Sequence, residues 1–221
     1  MTDGKVKVWD ICLRLFHWSL AILFLLSSYS AFQDKFGIYA DMHFLSGYTI
    51  LILVVWRLMW GVVGSETARF TRFVGSPKAA INHLVSMLRG EPYEAVGHSP
   101  LAGYSVLLML ILLFAQATMG LFASDGMLFS GPLTRVVDSS LRSDLTSWHK
   151  LLGLVLIGVI VMHVLAVFCY AFIKRVNLIW PMITGSAKLD DGQQPVIKPM
   201  WQGLIAFVAA GGLVCTLVFV L

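Results

Sequence analysis

The chain has 221 residues, of which 58% are hydrophobic and only 13% are charged, against about 25% charged residues in an ordinary soluble domain. This composition excludes a soluble fold. The formal net charge of +4 is explained by basic residues that collect on one side of a membrane, so it gives no reason to expect nucleic-acid binding.

Five apolar blocks follow one another along the chain, and each approaches or exceeds the ~20 residues that a helix needs to cross a hydrocarbon core. None alternates with the two-residue period of a membrane strand, and backbone polar groups must be paired in lipid, so all five are predicted to be helices. The predicted fold is an all-α membrane protein, with a four-helix transmembrane domain over residues 1–188 and a linker with a fifth helix over 189–221. The predicted spans are Leu15–Phe32, His43–Val63, Leu101–Phe122, Trp148–Phe172 and Gly203–Leu221.

The distribution of basic residues predicts the orientation. All lysines and arginines except Lys35, Arg135, Arg142 and Lys150 fall in the N-terminal segment or around the second and fourth loops. By the positive-inside rule the N-terminus is cytoplasmic. The first ten residues are mostly polar and no small-residue cleavage site follows the first apolar block, so no cleavable signal peptide is predicted.

The second loop contains helix signals of its own. Ser76 suits an N-cap, Pro77 the first helical position and Gly90 the C-terminal stop. The pair Ser99-Pro100 repeats the start signal for the third span. The short helix is predicted to lie on the membrane interface, because it has an apolar face made of Ile81, Leu84, Val85 and Leu88.

The six histidines carry the functional signal. Two of them, His83 and His98, lie in the second loop and are interpreted as solvated surface residues. The other four lie in apolar spans, where ionisable side chains are rare and mark functional sites. These four are His17, His43, His149 and His163.

Depth in the membrane sorts the four into two pairs. His149 and His163 are fourteen residues apart, which is about 21 Å along a helix and within about 40° on one face. Matching depths then give an outer pair, His43 with His149, and an inner pair, His17 with His163. Two facing imidazoles from antiparallel helices predict a haem slot. Because the chain has no CxxCH motif, each haem would be held without a covalent bond.

Glycines and basic residues near these histidines are further candidates for haem binding. Gly47 and Gly153 each follow an outer histidine by four residues, on the same helix face, where a missing side chain lets a flat macrocycle approach. Arg14, Arg57 and Lys150 lie at depths where they could meet haem propionates. Two alternatives remain: glycine also serves plain helix packing, and the first and last of these cations could merely mark span ends.

Several segments together resemble a known family. They are Val8–Trp18, Arg57–Phe70, Trp148–Gly153, Met162–Ala166 and Met182–Gly185. They look like the bacterial cytochrome b561 family, which includes b-type cytochrome subunits of membrane-bound hydrogenases. The resemblance covers roughly residues 5–188, so the fifth helix falls outside it.

The resemblance implies a four-helix core in the bacterial inner membrane that binds two b haems. It places bis-histidine ligation on the four residues that depth selects, His17, His43, His149 and His163. Such proteins pass electrons in a respiratory chain between quinone or quinol and a redox partner. The partner would be a periplasmic c-type cytochrome or a hydrogenase or dehydrogenase subunit, and the direction of flow is not encoded.

Two other functions stay open. A histidine-lined transporter of transition-metal ions would also place histidines in its spans, but transporters usually have broken helices or an inverted repeat, and the sequence has neither. A membrane anchor of a redox complex that carries no haem would not need four histidines in register.

Overall fold

The computed structural model describes residues 5–33, 37–89, 99–126, 129–188 and 194–220. Its elements are strand β1 (Lys5–Lys7), helices α1 (Ile11–Ala31) and α2 (Ile38–Val63), a 3-10 turn (Glu66–Ala68), helices α3 (Phe70–Phe73), α4 (Pro77–Leu88), α5 (Pro100–Phe122), α6 (Ser139–Phe172) and α7 (Ile179–Thr184), strand β2 (Ser186–Lys188) and helix α8 (Met200–Phe219). Helices α1, α2, α5, α6 and α8 are long and apolar enough to cross a membrane. The predicted all-α membrane fold with five spans is therefore confirmed.

The largest difference from the predicted spans is the start of α6. The apolar block begins at Trp148, but the helix begins at Ser139. The side chain of Asp138 accepts a 2.9 Å hydrogen bond from the backbone N–H of Leu141, which caps the first turn. Since the added residues are mostly polar, hydropathy does not detect them, although the capping aspartate could have.

The predicted helix starts around the second loop are confirmed. Ser76 Oγ accepts the backbone N–H of Ala79 at 3.2 Å, and α4 begins at Pro77 as predicted. Ser99 Oγ accepts the backbone N–H of Ala102 at 3.1 Å. The predicted stop at Gly90 and the last residue of the fifth span, Leu221, lie outside the described residues, as do Lys35 and His98.

The outer face of α4 is apolar. Ile81, Leu84 and Val85 are exposed, whereas Ala80 is buried against the protein. Three large apolar side chains on one exposed face are what a helix at a lipid interface presents. Three of the four predicted residues therefore form an apolar face that the described residues do not cover, while the side chain of Leu88 lies outside the description.

The chain divides into two compact units. The first contains the N-terminal segment through Phe16, Arg57–Leu108 and Met162–Ala206, and the second contains His17–Trp56, Met109–Val161 and Phe207–Leu221. In the first unit β1 pairs antiparallel with β2, with Lys5 opposite Lys188.

Four helices meet in the core of the second unit. Its buried centre consists of Ile50 and Val54 of α2, Leu113 of α5 and Leu156 of α6, with Leu20, Leu23 and Phe24 of α1 packed against them. Helix α8 joins through Val214 and Val218, which pack with Leu51, Leu121 and Leu133. The four-helix core is thus accompanied by a fifth helix that lies against α2 and α5.

Buried polar groups fix the start of α1 in the first unit. Asp10 accepts the backbone N–H of Leu13 at 2.7 Å and the indole N–H of Trp60 at 3.2 Å. Both Asp10 and Trp60 are almost fully buried. One carboxylate therefore caps α1 and ties it to the last turn of α2.

The segment before α8 is held by the turn that follows α2. The backbone N–H of Glu66 donates to the Val196 carbonyl at 3.0 Å, and the backbone N–H of Val196 donates to the Glu66 carboxylate at 3.1 Å. Ser65 Oγ accepts the backbone N–H of Lys198 at 3.0 Å. Further along, Gly203 of α8 faces Cys12 of α1 so closely that a Cβ there would lie 3.1 Å from the Cys12 Cβ.

Replacing Gly203 by valine is expected to destabilise the detergent-solubilised protein by about 1–3 kcal/mol, because the added side chain would overlap Cys12. Gly211→Val is the matched control, since a Cβ at that position of the same helix meets no atom within 4 Å. Thermal loss of the monodisperse size-exclusion peak measures the difference. Equal melting temperatures for the two variants would contradict the packing of α8 on α1.

Candidate functional site

The second unit brings His43 of α2 and His149 of α6 together. Their ring centres lie 6.2 Å apart and the ring planes are almost perpendicular, at 87°. The Nδ1 atom of His43 lies 3.0 Å from the carbonyl oxygen of Ser27 in α1. The Nδ1 atom of His149 lies 3.0 Å from the carbonyl oxygen of Gln116 in α5. Four helices therefore build this site.

The two carbonyl contacts define the protonation of both rings. A carbonyl oxygen only accepts hydrogen bonds, so each Nδ1 carries the proton and each Nε2 keeps its lone pair. Metal-binding histidines usually have this arrangement, because the second N–H fixes the ring and makes the ligand more basic. The Nε2 atoms of His43 and His149 thus keep the lone pair that a metal ligand needs, and that of His149 lies 3.4 Å from the Gln116 amide nitrogen.

The distance between the two rings suits ligands on opposite sides of one metal ion. Bonds of about 2.0–2.1 Å from histidine nitrogen to metal put the two ligating atoms about 4 Å apart. The ring centres lie beyond those atoms, which agrees with the observed 6.2 Å between His43 and His149. With their Nε2 atoms directed at each other, His43 and His149 would hold one haem iron between them.

Three glycines near the pair have different surroundings. A Cβ at Gly47 would meet no atom within 4 Å, so the space directly beside this glycine is open. A Cβ at Gly153 would lie 3.3 Å from the Gln116 amide nitrogen, so this glycine contacts a side chain. A Cβ at Gly120 would lie 3.0 Å from the His149 ring, so a side chain here would press on that ring.

Sequence reasoning missed Gln116, Gly120 and Ser27. Gln116 had a detectable signal, because it is an amide inside an otherwise apolar span. Gly120 follows it by four residues on the same helix face. Ser27 contributes mainly its backbone carbonyl, with the Ser30 hydroxyl 3.3 Å from the same Nδ1, and a backbone contact leaves no pattern in the sequence.

The other two histidines fall in different units. His17 belongs to the second unit, is half-buried and has its ring centre 5.0 Å from that of Trp18. His163 belongs to the first unit and is also half-buried. Their pairing, derived from depth, stays a prediction.

Arg57 is almost fully buried, at 1% exposure. Its Nη2 donates a 3.0 Å hydrogen bond to the Ala68 carbonyl. The guanidinium lies over the Phe70 ring at 4.9 Å and near the Phe73 ring at 5.8 Å. The segment after α2 therefore supplies the partners that a charge in a membrane span requires. The Nη1 donor of Arg57 has no such partner among the described residues.

The remaining two cations have different environments. Arg14 donates through Nη1 to the carbonyl of Ile183, close to the end of α7, where Gly185 adopts a left-handed conformation with φ 84°. Basic groups stabilise the carbonyls of a last helical turn in this way. Lys150 is exposed next to His149.

A family model described as prokaryotic cytochrome b561 matches residues 8–185, which include four of the five spans. The chain belongs to the prokaryotic cytochrome b561 family. This cytochrome b561 is accordingly a multi-pass membrane protein of electron transfer that binds b-type haem. The match ends before α8, so the fifth helix lies outside the family region, as the sequence resemblance predicts. No curated protein is significantly similar to the chain.

Proposed function

We propose that this cytochrome b561 holds two non-covalent b haems and carries electrons across the bacterial inner membrane, with its N-terminus in the cytoplasm. Electrons would pass between quinone or quinol and a redox partner, either a periplasmic c-type cytochrome or a hydrogenase or dehydrogenase subunit. The observation that supports this best is the pair of imidazoles of His43 and His149. Their ring centres lie 6.2 Å apart, and each Nδ1 is bonded to a backbone carbonyl.

His43 and His149 would hold the outer haem. Their Nδ1 atoms donate to the carbonyls of Ser27 and Gln116, which orients both rings and strengthens Nε2 as a ligand. The space beside Gly47 would take one face of the macrocycle. When bound, a haem with two histidine ligands supplies a one-electron iron couple and has no open position for oxygen or substrate.

His17 and His163 would hold the inner haem, about 21 Å along the helix axis from the outer one, since fourteen residues separate His163 from His149. Arg57 is a candidate contact for a propionate, because its buried Nη1 has no hydrogen-bond partner among the described residues, as is also true of Arg14 Nε. Lys150 is exposed and could meet a propionate of the outer haem. Arg14 bonds to α7, so any contact with a propionate would be additional.

A site made of only two histidines favours haem over a transported metal ion. An ion held by side chains alone generally has three or four protein ligands. In the part of the chain that the structure describes, no group of three or more histidine, cysteine, aspartate or glutamate residues could hold a metal ion. Two histidines suffice for haem, which brings its own equatorial ligands.

Haem stoichiometry tests the proposed function. Acid–acetone extraction followed by a pyridine haemochrome assay is expected to release about two haems per polypeptide, because four histidines pair at two depths. A quinol added to the membranes should reduce the haem, which visible spectroscopy records. A ratio near one, haem that stays with the polypeptide, or no reduction by quinol would each contradict part of the proposal.

A further inference from the structure

Residues 129–136, termed the cap, lie between α5 and α6 and pack on the end of α5. The backbone N–H of Leu133 donates to the Leu121 carbonyl at 2.9 Å. Gly131 approaches the helix so closely that a Cβ there would lie 2.6 Å from the Gly120 carbonyl oxygen. The backbone of the cap is therefore fixed against the last turn of α5.

The cap reaches a neighbour of each histidine in the outer pair. The centre of its Phe129 ring lies 6.3 Å from that of Phe44, the residue that follows His43. The cap also packs on Gly120, and a Cβ at Gly120 would lie 3.0 Å from the His149 ring. One residue therefore lies between the cap and each of the two rings.

The two rings lie near the helix ends that the cap adjoins. His43 is five residues from the first residue of α2, and Gly120 is two residues from the last residue of α5. At 1.5 Å per residue, these separations are about 8 Å and about 3 Å. Access of water to the pair from this side is therefore decided by what covers the helix ends.

Helix α8 contributes to holding the cap. Leu133 of the cap is 5% exposed and packs in one buried cluster with Leu51, Leu121, Val214 and Val218. The two valines belong to α8, which begins after residue 185, where the family match ends. The helix that is additional to the family region thus packs directly against the segment that adjoins the outer pair.

We infer that the cap, held by α8, keeps water away from the haem bound by His43 and His149 and thereby raises its reduction potential; this rests on the proposed function. Reduction adds one electron, supplied by the quinol, so the oxidised iron centre carries one more positive charge than the reduced one. Water stabilises the more highly charged form, because its dielectric constant is high. A packed cover that excludes water therefore favours the reduced form.

The test is a potentiometric titration of the haem-loaded, full-length protein with Leu133→Ala, which removes the side chain that packs the cap against α8. At a fixed potential, we expect the ratio of reduced to oxidised form of this haem to fall several-fold; a tenfold fall corresponds to about 59 mV for one electron. The component that disappears in His43→Ala identifies this haem, and the other component should not move. Val136→Ala, in the same cap at 66% exposure, is the matched control.

Hydrogen exchange reports on the cap itself and does not depend on haem. Val214→Ala is expected to speed exchange of the Gly131 and Leu133 amides, because it removes packing between α8 and the cap. The same variant should lower the haem potential, as Leu133→Ala does. Val208→Ala, at 66% exposure on α8, is the matched control. Unchanged exchange in Val214→Ala would contradict the role of α8.

The outcomes separate this inference from the proposed function. Faster exchange in the cap with an unchanged or higher haem potential would show that the cap does not exclude water, and the proposed function would stand. A single haem that His43→Ala removes would refute the proposed stoichiometry, while the titration still tests the inference on that haem. Unchanged haem content in His43→Ala would overturn both. Loss of haem in both Leu133→Ala and Val214→Ala would assign the cluster a structural role and overturn the inference.

Discussion

Replacing His43 or His149 by alanine is expected to remove the same haem, so that haem content falls from about two to about one per polypeptide. The reason is that one iron would bind both rings, whose centres lie 6.2 Å apart, so deleting either ring would remove one of its two protein ligands. Redox titration of each variant should show the disappearance of one component, identical for the two.

The complementary variants are His17→Ala and His163→Ala, which are expected to remove the other component. His83→Ala is the control, because His83 lies on α4, outside the spans. If His17→Ala and His149→Ala instead abolished the same component, the pairing by depth would be wrong. A full haem complement in His43→Ala would remove His43 from the ligand set.

Arg57→Leu is expected to destabilise the protein by about 3–5 kcal/mol, the range for breaking a buried charge interaction by removing one partner. The variant would lose the hydrogen bond to the Ala68 carbonyl and the contact with the Phe70 ring. It would also leave the buried carboxylate of Asp10, which interacts electrostatically with Arg57, without its cation. Thermal denaturation of the solubilised protein measures the loss.

Two further variants make this prediction specific. Arg72→Leu removes an exposed arginine that pairs with Glu66 at 2.6 Å, and an exposed pair of this kind contributes less than about 1 kcal/mol. Adding Asp10→Asn to Arg57→Leu should recover part of the stability, because the unpaired carboxylate would then be neutral. Equal destabilisation by Arg57→Leu and Arg72→Leu would show that the burial of Arg57 has no energetic role.

Hydropathy predicted the membrane spans well because lipid imposes the same demand on every crossing segment. It failed at the start of α6, where the residues before Trp148 are helical but polar. The strand pair β1–β2 and the short helices α3 and α7 were not predicted either. Elements of three to six residues have little intrinsic preference, and contacts with residues far along the chain determine them.

The ionisable side chains of the candidate site could be predicted from the sequence, whereas its backbone contacts could not. Depth and helical periodicity paired His43 with His149, and the structure brings them together, while their ligation of haem stays a prediction. The sequence also indicated that Arg57 needs a partner, but its hydrogen-bond partner is a backbone carbonyl, that of Ala68. Backbone contacts depend on how the chain turns after a helix, and no residue pattern encodes that.

The pairing of β1 with β2 has a consequence for the order of events during biosynthesis. Lys5 pairs with Lys188, and Arg14 bonds to Ile183, so both contacts join the first residues to ones made about 180 residues later. At about 5–20 residues per second of synthesis, that delay is on the order of ten seconds or more. During this interval the Arg14 guanidinium lacks its carbonyl and must extend toward water or lipid headgroups. Completion of β2 is therefore the step that gives β1 its partner strand, and a nascent chain that stops before it would leave the edge of β1 unpaired.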